Sequence, residues 1–297
     1  MTEPPRILVY NAMWGAEVNS ADVFACDLTT DRALLLTADA IVFHIPSMAR
    51  RFPAKRPHQR WVAWSLESDV NYPQLSDAAF MSRFDLTMTY RQDSDVPLSY
   101  LVFYQDGDGI EPALRMKPGE KRTDGLATMF ISSGLNKSGR IDYATELRQY
   151  VDIHSYGSVQ RTHHLPKPDQ GRSSKLNLLS QYKFDLSFEN SRSVDYVTEK
   201  FFDPLVAGTV PVYLGAPNIA DFAPGEHCFI DVRDFSGPRE LADYLHYLDQ
   251  NDAAYAEYFA WKERPFKQQF RDLVDREQEN PFTRLCRAIS ASPRGAG

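Results

Sequence analysis

Short apolar runs alternate with longer amphipathic stretches along this chain, and that alternation limits its fold more than any other feature. The apolar runs have the length of strands, and the stretches between them are long enough for helices. Strands that alternate with helices are typical of a parallel sheet covered by helices. The pattern therefore predicts an α/β fold, with strands at Ile7–Tyr10, Ala40–Ile45, Trp61–Leu66, Leu86–Thr89, Ala127–Ser132, Phe184–Phe188, Val210–Leu214 and Cys228–Asp231.

The length of the chain predicts two domains. A chain of 297 residues exceeds the usual size of one hydrophobic core. The segment Gln105–Gly125 is rich in glycine, proline and charge and has little apolar periodicity, as linkers do. We therefore expect domains at 1–115 and 116–297, and the helical patterns at 252–262 and 265–289 suit packing against either half.

Charge and cysteine content narrow the class of protein. The net charge of −7 and the pI near 5.5 argue against a nucleic-acid surface as the main partner. Three cysteines, Cys26, Cys228 and Cys286, lack metal-ligand spacing and indicate a reducing compartment without structural disulfides. The basic run Arg50–Arg60 is typical of a solvated loop, while peripheral contact with a membrane or an anionic ligand stays open.

The chain shows no targeting or membrane-spanning pattern. No segment has the roughly 18 uncharged apolar residues that a membrane span requires. The N-terminus runs directly into a strand-type segment and has no apolar signal-peptide region. We therefore expect a soluble, cytoplasmic protein.

The stretch Tyr182–Pro217 carries most of the functional information. It reads as a strand, a polar turn, a helix and a second strand, and a polar cluster at such a turn lies where open α/β sheets bind ligands. Lys200 falls near the start of the helix, a position that favours phosphate. Structural roles remain open, since Glu199 suits the helix dipole and Asn190 suits an Asx-turn. The cluster consists of Glu189, Asn190, Tyr196, Glu199 and Lys200.

This stretch resembles the signature of the α1,3-fucosyltransferases, an inverting family that transfers L-fucose from GDP-fucose. The matching text reads YKF-LSFENS, then DYVTEKFF, then LVAGTVPVYLGAPN, and further similarity covers most of the chain. These segments resemble most of all the branch of the family that fucosylates the core of N-glycans. The resemblance implies a GT-B-like fold, with two Rossmann-like domains facing a central cleft.

The resemblance also implies roles for individual residues. Arg140, at a strand-to-helix junction, matches the arginine that contacts the donor diphosphate, and Lys200 would share in stabilising the GDP leaving group. Asn190 and Tyr196 match positions that contact nucleotide phosphate or fucose. Glu199 would accept hydrogen bonds from fucose and stabilise an oxocarbenium-like transition state. Donor binding is thus expected in the C-terminal domain.

The base of an inverting transfer is expected in the N-terminal domain. Glu67 follows an apolar strand, and burial there would suit a carboxylate to general-base catalysis. Its context resembles the family's W–ES–P motif, although Asp69 stands where the family has proline and is a rival base. His44, at another strand end, is similar to a histidine that the family often has there. The expected acceptor is a glycan, attacked through O3 of an N-acetylglucosamine unit.

No metal is expected to be essential. The two D-x-D strings, at Asp93–Asp95 and Asp106–Asp108, fall in a family segment of structural role and in the predicted linker. The pair His163 and His164 lacks a third spaced ligand. Three alternatives remain: a glycosidase that uses Glu67 and Glu199, a non-catalytic GDP-sugar or glycan-binding protein, and a transferase for another nucleotide sugar. The acceptor glycan, an α1,3 or α1,4 linkage (Lewis or core type) and the oligomeric state stay open.

Overall fold

The computed structural model describes residues 3–11, 23, 26–48 and 51–291. The chain divides into two compact units. Unit 1 consists of Met1–Val102 together with Asp275–Gly297, and unit 2 is Phe103–Val274. The boundary proposed from sequence, after residue 115, therefore lies within unit 2 rather than between the units.

The described residues of unit 1 contain a five-stranded parallel sheet with the order β2-β1-β3-β4-β5. The middle strand is buried along its whole length, and Phe43 and Trp61 pack there among further aromatic rings. A short helix, α1, spans Ala78–Met81 and is capped by the Asp77 carboxylate. The strands are β1 (Arg6–Asn11), β2 (Asp27–Thr29), β3 (Ala40–His44), β4 (Arg60–Ser65) and β5 (Leu86–Thr89).

Unit 2, every residue of which is described, also has a five-stranded parallel sheet. Its strand order is β10-β9-β8-β6-β7, and the central strands β6, β8 and β9 are buried along their whole length. The strands are β6 (Ala127–Met129), β7 (Ile153–Ser155), β8 (Phe184–Phe188), β9 (Val210–Leu214) and β10 (Ile230–Asp231). The helices are α2 (Ile110–Arg115), α3 (Arg140–Leu147), α4 (Arg172–Leu179), α5 (Glu199–Ala207), α6 (Pro238–Gln250) and α7 (Asp252–Ala256).

The strand order of unit 2 fixes where a ligand is expected. The chain order runs outward in one direction from β6 to β7 and in the other from β8 to β10. The direction therefore changes between β6 and β8. In open parallel sheets, ligands bind at the carboxyl ends of the strands that flank such a switch point. The segments that follow β6 and β8 are the ones that lead into α3 and α5.

The C-terminal segment belongs to unit 1. Two helices, α8 (Gln268–Gln278) and α9 (Pro281–Ala291), end the described chain, and the division between the units falls within α8. Arg276 donates to the side chain of Gln92 at 2.7 Å, and Arg284 donates to the carbonyl of Pro97 at 2.7 Å. The carboxylate of Glu277, fully buried, accepts from both arginines.

A disulfide joins Cys26 to Cys286, so the expectation of a chain without structural disulfides is wrong. The two cysteines are 260 residues apart in sequence, and the fold brings their Cα atoms to 5.9 Å. A sequence scan for short cysteine spacings cannot detect such a pair. Cys228 is a free, buried thiol whose pKa is raised to about 12 by burial. The cytoplasmic location stays a prediction.

The α/β class with two Rossmann-like domains is confirmed. The predicted strands differ from the observed ones mainly in length and at the edges of the two sheets. Each predicted strand is present, although several are shorter than expected. The edge strands β2 and β7, of three residues each, were not predicted. The predicted linker contains α2, which buries Ile110 and Leu114 and so has an apolar face. Among the described residues, no helix is both long enough and apolar enough to cross a bilayer.

Candidate active site

The loop between β8 and α5 is built around the buried carboxylate of Glu189. This carboxylate accepts hydrogen bonds from the backbone N–H of Thr198 at 2.7 Å and from its hydroxyl at 2.9 Å. Thr198 is the N-cap of α5 and accepts from the N–H of Lys200. Gly215 leaves room for Glu189, because a Cβ there would lie 2.7 Å from the Glu189 Cγ. Glu189 is therefore structural, and it fixes the first turn of α5.

Lys200 and Glu199 form an ion pair at that first turn. The Lys200 Nζ lies 3.1 Å from Glu199 Oε1 and 3.6 Å from Glu189 Oε2, and it donates to the Thr198 hydroxyl at 3.0 Å. Burial opposes both charges, but the attraction of Lys200 and Lys175 together with hydrogen bonds outweighs it for Glu199 and holds the pKa of Glu199 at about 2. The pKa of Lys200 is raised because the charges of Glu199 and Glu189 exceed the cost of burial. Both side chains are therefore ionised at neutral pH.

Arg140 begins α3, and its guanidinium is buried, with the charges of Glu189 and Glu199 acting on it through space. Its guanidinium donates to the carbonyls of Phe188 at 3.1 Å and Ser133 at 2.8 Å, and the residue is only 1% exposed. The described part of the chain supplies neither an acceptor for its Nε nor a carboxylate within ion-pair distance. Burial lowers its pKa, although the guanidinium stays charged. A buried cation of this kind is costly unless an anion joins it.

Asn190 and Tyr196 lie in the same loop and are buried. The Asn190 carbonyl accepts from the N–H of Ser138 at 3.2 Å, which ties this loop to the segment before α3. Tyr196 follows Asp195, whose left-handed backbone is held by two hydrogen bonds with the Asn218 side chain at 2.9 Å. The Ser138 and Asn218 contacts were not predicted, because each joins segments far apart in sequence.

The five residues expected to bind the donor thus lie together in unit 2. The charges of Tyr196 and Glu199 act on the pKa of Arg140, and the charge of Arg140 acts on that of Lys200. Arg140 follows β6, and the other four residues follow β8, so the group lies at the switch point of the sheet. Two cations and one carboxylate there can bind an anionic ligand that carries a sugar.

Glu67 lies in unit 1, just after the carboxyl end of β4. The Ser65 hydroxyl accepts from the Glu67 N–H and donates to the Glu67 carbonyl, both at 3.0 Å, which shapes a tight turn. The residue is partly buried. Burial raises the pKa of Tyr72, and the charge of Glu67 raises it further, so the two groups lie near each other. This position suits a general base, a role that stays a prediction.

Asp69, the rival base, is engaged in holding the loop. Its Oδ1 accepts from the Tyr90 hydroxyl at 2.8 Å, and its Oδ2 accepts from the Ser76 hydroxyl at 2.8 Å. The Asp69 N–H also donates to the Tyr90 oxygen at 3.1 Å. A carboxylate with both oxygens bound to hydroxyls is a poorer proton acceptor than one that faces substrate. Asp69 therefore has a structural role in this loop, and the choice of Glu67 as the base stays a prediction.

His44 is fully buried at the end of β3. Its Nδ1 is 2.8 Å from the Ser47 hydroxyl, and its ring meets Trp64 edge-on. Burial lowers its pKa to about 4, so the ring is neutral at pH 7. These contacts give His44 a structural role in unit 1.

The first acidic pair set aside from the sequence, Asp93 and Asp95, has structural partners. Asp95 accepts from the N–H and the hydroxyl of Thr87, both at 2.8 Å, and Asp93 pairs with Arg91. His163 stacks on His154 with ring centroids 3.8 Å apart. Within the ranges that the structure describes, no group of three or more His, Cys, Asp or Glu side chains is arranged to hold a metal ion.

Two parallel α/β units, one of which gathers cations at its switch point, are the architecture of a two-domain glycosyltransferase. The family model described as fucosyltransferase, N-terminal, matches residues 2–101, and the one described as glycosyltransferase family 10 (fucosyltransferase) C-term matches residues 120–295. The chain belongs to glycosyltransferase family 10, the fucosyltransferases.

Named relatives are similar over much of the chain. The 4-galactosyl-N-acetylglucosaminide 3-alpha-L-fucosyltransferase 9 of mouse is 34% identical over 250 residues, which is 81% of this chain and 65% of the relative. The human enzyme of the same name gives the same values. Rat GDP-fucose protein O-fucosyltransferase 3 is 35% identical over 217 residues, 70% of this chain and 45% of the relative. The chain therefore spans less than two thirds of the length of these proteins.

Solved structures agree on the fold. A crystal structure of an α1,3-fucosyltransferase with GDP-fucose aligns with a TM-score of 0.60 and 21% identity, covering 94% of this chain and 92% of the other. Another α1,3-fucosyltransferase structure gives a TM-score of 0.64 at 17% identity, covering 98% and 92%. At these identities the likeness establishes the fold.

Proposed function

We propose that this protein transfers L-fucose from GDP-fucose to O3 of an N-acetylglucosamine unit, with inversion at the anomeric carbon. The observation that carries the proposal is Arg140, a buried guanidinium without a carboxylate partner among the described residues, beside the ion pair of Lys200 and Glu199. Membership of the fucosyltransferase family supports the reaction, and the names of the mouse and human relatives support the acceptor.

The cations of unit 2 would act on the departing diphosphate. As the bond between fucose and phosphate breaks, negative charge grows on the leaving GDP, and Arg140 and Lys200 stabilise that charge better than water does. The first turn of α5 adds backbone N–H groups and the positive end of the helix dipole. With two such cations, a divalent metal is not needed to offset the leaving-group charge, and we expect activity to persist in EDTA.

Glu199 would act on the sugar. Its pKa of about 2 keeps it ionised, so it stabilises the positive charge that develops on the fucose ring. Asn190 and Tyr196 would position the phosphate or the fucose. Glu67 would take the proton of the acceptor hydroxyl while GDP departs from the opposite face, which gives inversion.

A protein hydroxyl is a second candidate acceptor. The similarity to rat GDP-fucose protein O-fucosyltransferase 3 extends over 70% of this chain and favours this alternative. The donor chemistry would be the same, and only the group that faces Glu67 would change. The acceptor must therefore be determined by experiment.

The test is incubation with GDP-fucose and parallel panels of glycans and peptides, with and without EDTA. Mass spectrometry and linkage analysis would identify the product, and NMR would give its anomeric configuration. We expect an α-fucoside on an N-acetylglucosamine O3 and equal yield in EDTA. Hydrolysis of fucosides without GDP would indicate the glycosidase, tight GDP binding without any product would indicate a binding protein, and a donor panel would reveal another nucleotide sugar.

A further inference from the structure

A buried charge cluster packs against α5, and no local sequence pattern predicts it. Its centre is Asp203, which is only 1% exposed. One carboxylate oxygen accepts from the Tyr104 hydroxyl at 2.6 Å and from the Arg172 guanidinium at 2.9 and 3.1 Å. The other accepts from the Lys175 ammonium at 2.9 Å. Four donor atoms from two segments of unit 2, the segment with Tyr104 and helix α4, thus hold one carboxylate of α5.

Asp203 places Lys175 next to the catalytic turn. Asp203 follows Glu199 by four residues, so the two side chains lie on the same face of α5, one turn apart. Lys175 comes from α4, which packs along α5. Burial opposes the charge of Glu199, and Lys175 is second only to Lys200 among the cations that lower its pKa.

A second carboxylate, Asp185 in β8, also faces Lys175. It is 5% exposed and accepts from the Ser187 hydroxyl at 3.0 Å, while its Oδ1 has no partner among the described residues. Burial raises its pKa to about 7, and Lys175 is the strongest attraction that opposes this rise. Lys175 therefore acts on three carboxylates, Asp203 by contact and Asp185 and Glu199 through space.

We propose that Lys175 is a positioning residue that keeps Glu199 ionised and its helical turn in place when the donor is bound. The inference rests on the proposed function. A bound diphosphate brings negative charge close to Glu199 and shares the positive charge of Lys200 and Arg140. Lys175 is paired with Asp203 and does not bind the diphosphate. Its positive charge therefore still acts on Glu199 when the donor is bound.

Every charged group around Glu199 enters the pH dependence. Cations lower its pKa and anions raise it, and burial raises it as well. Without Lys175, the pKa of Glu199 rises, and the carboxylate becomes protonated at a higher pH than in the wild type. The groups are Lys200 and Asp203 on α5, Lys175 on α4, Arg140 on α3, Glu189 after β8, Asp185 in β8 and Tyr104 before α2.

The first experiment measures kcat and KM for GDP-fucose against pH for the wild type, Lys175→Met and Lys175→Arg. Protonation of Glu67 or of Glu199 would each lower kcat at low pH, and a bound diphosphate raises the pKa of Glu199 toward the working range. We therefore expect the acid limb of kcat in Lys175→Met to lie at higher pH than in the wild type, with activity recovering at alkaline pH. KM should change little, and Lys175→Arg should restore the wild-type profile. The matched control is Lys267→Met, because Lys267 is similarly exposed and pairs with one carboxylate, Glu226, at 2.7 Å. A kcat profile of Lys175→Met that matches the wild type overturns the proposal.

The second experiment needs no donor. Urea unfolding at pH 7 would compare Lys175→Met, Glu199→Gln and the double variant with the wild type. If Lys175 holds Glu199 ionised, Lys175→Met destabilises the wild type more than it destabilises Glu199→Gln. Equal destabilisation would contradict the coupling. A wild type that transfers no fucose would contradict the proposed function instead, and this cycle would still decide whether Lys175 and Glu199 are coupled.

Discussion

Arg140 and Lys200 are both expected to bind the diphosphate, but their surroundings prepare them differently. Lys200 already lies within 3.6 Å of two carboxylates, whereas Arg140 donates to main-chain carbonyls that carry no net charge. A diphosphate must compete with Glu199 and Glu189 for Lys200. Glu189 and Glu199 act on Arg140 only through space, and no carboxylate among the described residues is in ion-pair contact with it, so Arg140 gains more electrostatic energy from the ligand.

Arg140→Met should therefore weaken GDP binding more than Lys200→Met does. A hydrogen bond to a charged group contributes about 1.5–3 kcal/mol, so we expect the Kd for GDP to rise roughly 10- to 150-fold in Arg140→Met. Isothermal titration calorimetry measures the change. Arg148→Met, which changes a partly buried arginine at the other end of α3, is the control. Unchanged affinity in Arg140→Met would exclude this arginine from the diphosphate site.

Neutral substitutions of Glu67 and Asp69 should have different effects on turnover and on stability. Glu67→Gln removes the proton acceptor, and we expect turnover to fall about 10²- to 10⁴-fold with little change in GDP affinity. Asp69→Asn weakens the bonds to Tyr90 and Ser76, so it should lower stability more than chemistry. Steady-state kinetics and thermal unfolding of both variants test this. Normal turnover in Glu67→Gln would exclude Glu67 as the base.

The sequence identified the charged side chains at the switch point of unit 2 better than the residues that hold them in place. Arg140, Glu199 and Lys200 could be predicted because strand ends and helix starts mark ligand sites in α/β proteins. The contacts of Asp203 with Tyr104, Arg172 and Lys175 depend on three separate segments. No local pattern reports such long-range pairing, and Asp203 reads simply as one more polar position of a helix.

At the scale of elements, central strands were predictable and edge strands were not. The buried strand β8 carries apolar residues at three of its five positions, Phe184, Leu186 and Phe188, whereas β2 has only three residues, all partly buried. The helix α5 was harder to predict over its full length, because it contains Pro204. A proline has no N–H to donate to the carbonyl of Lys200, so it is unfavourable inside a helix. The ends of α5 compensate: Thr198 caps the start, and Gly208 ends it in a left-handed conformation.

The N-cap residue of α5, Thr198, should contribute more to the free energy of unfolding than an ordinary N-cap does. Thr198→Val keeps the shape but removes the hydroxyl, so the helix loses its cap and the buried Glu189 carboxylate loses one of its donors. We expect the free energy of unfolding to fall by about 1–3 kcal/mol. Urea unfolding measures it, with Thr198→Ser as the control that keeps the hydroxyl. A loss of stability in Thr198→Ser equal to that in Thr198→Val would contradict the role of the hydroxyl.

At the scale of the whole molecule, unit 1 is assembled from the two ends of the chain. Residues Asp275–Gly297 belong with Met1–Val102, and unit 2 lies between them in sequence. A single boundary near residue 115 could not describe this arrangement, since sequence composition marks linkers but not the return of a terminal segment. The contacts of Arg276 and Arg284 and the disulfide of Cys286 join the terminal segment to the rest of unit 1.

The disulfide should stabilise unit 1 without affecting the donor site. Cys26 and Cys286 close a loop of the chain across 260 residues, and loss of a native disulfide typically costs about 2–5 kcal/mol. We expect Cys286→Ala, or dithiothreitol added to the wild type, to lower the unfolding temperature while the Kd for GDP stays unchanged. Cys228→Ala, which removes the free buried thiol, is the matched control and should still respond to dithiothreitol. If dithiothreitol lowers the unfolding temperature of Cys286→Ala as much as that of the wild type, the bond does not account for the stability of this unit.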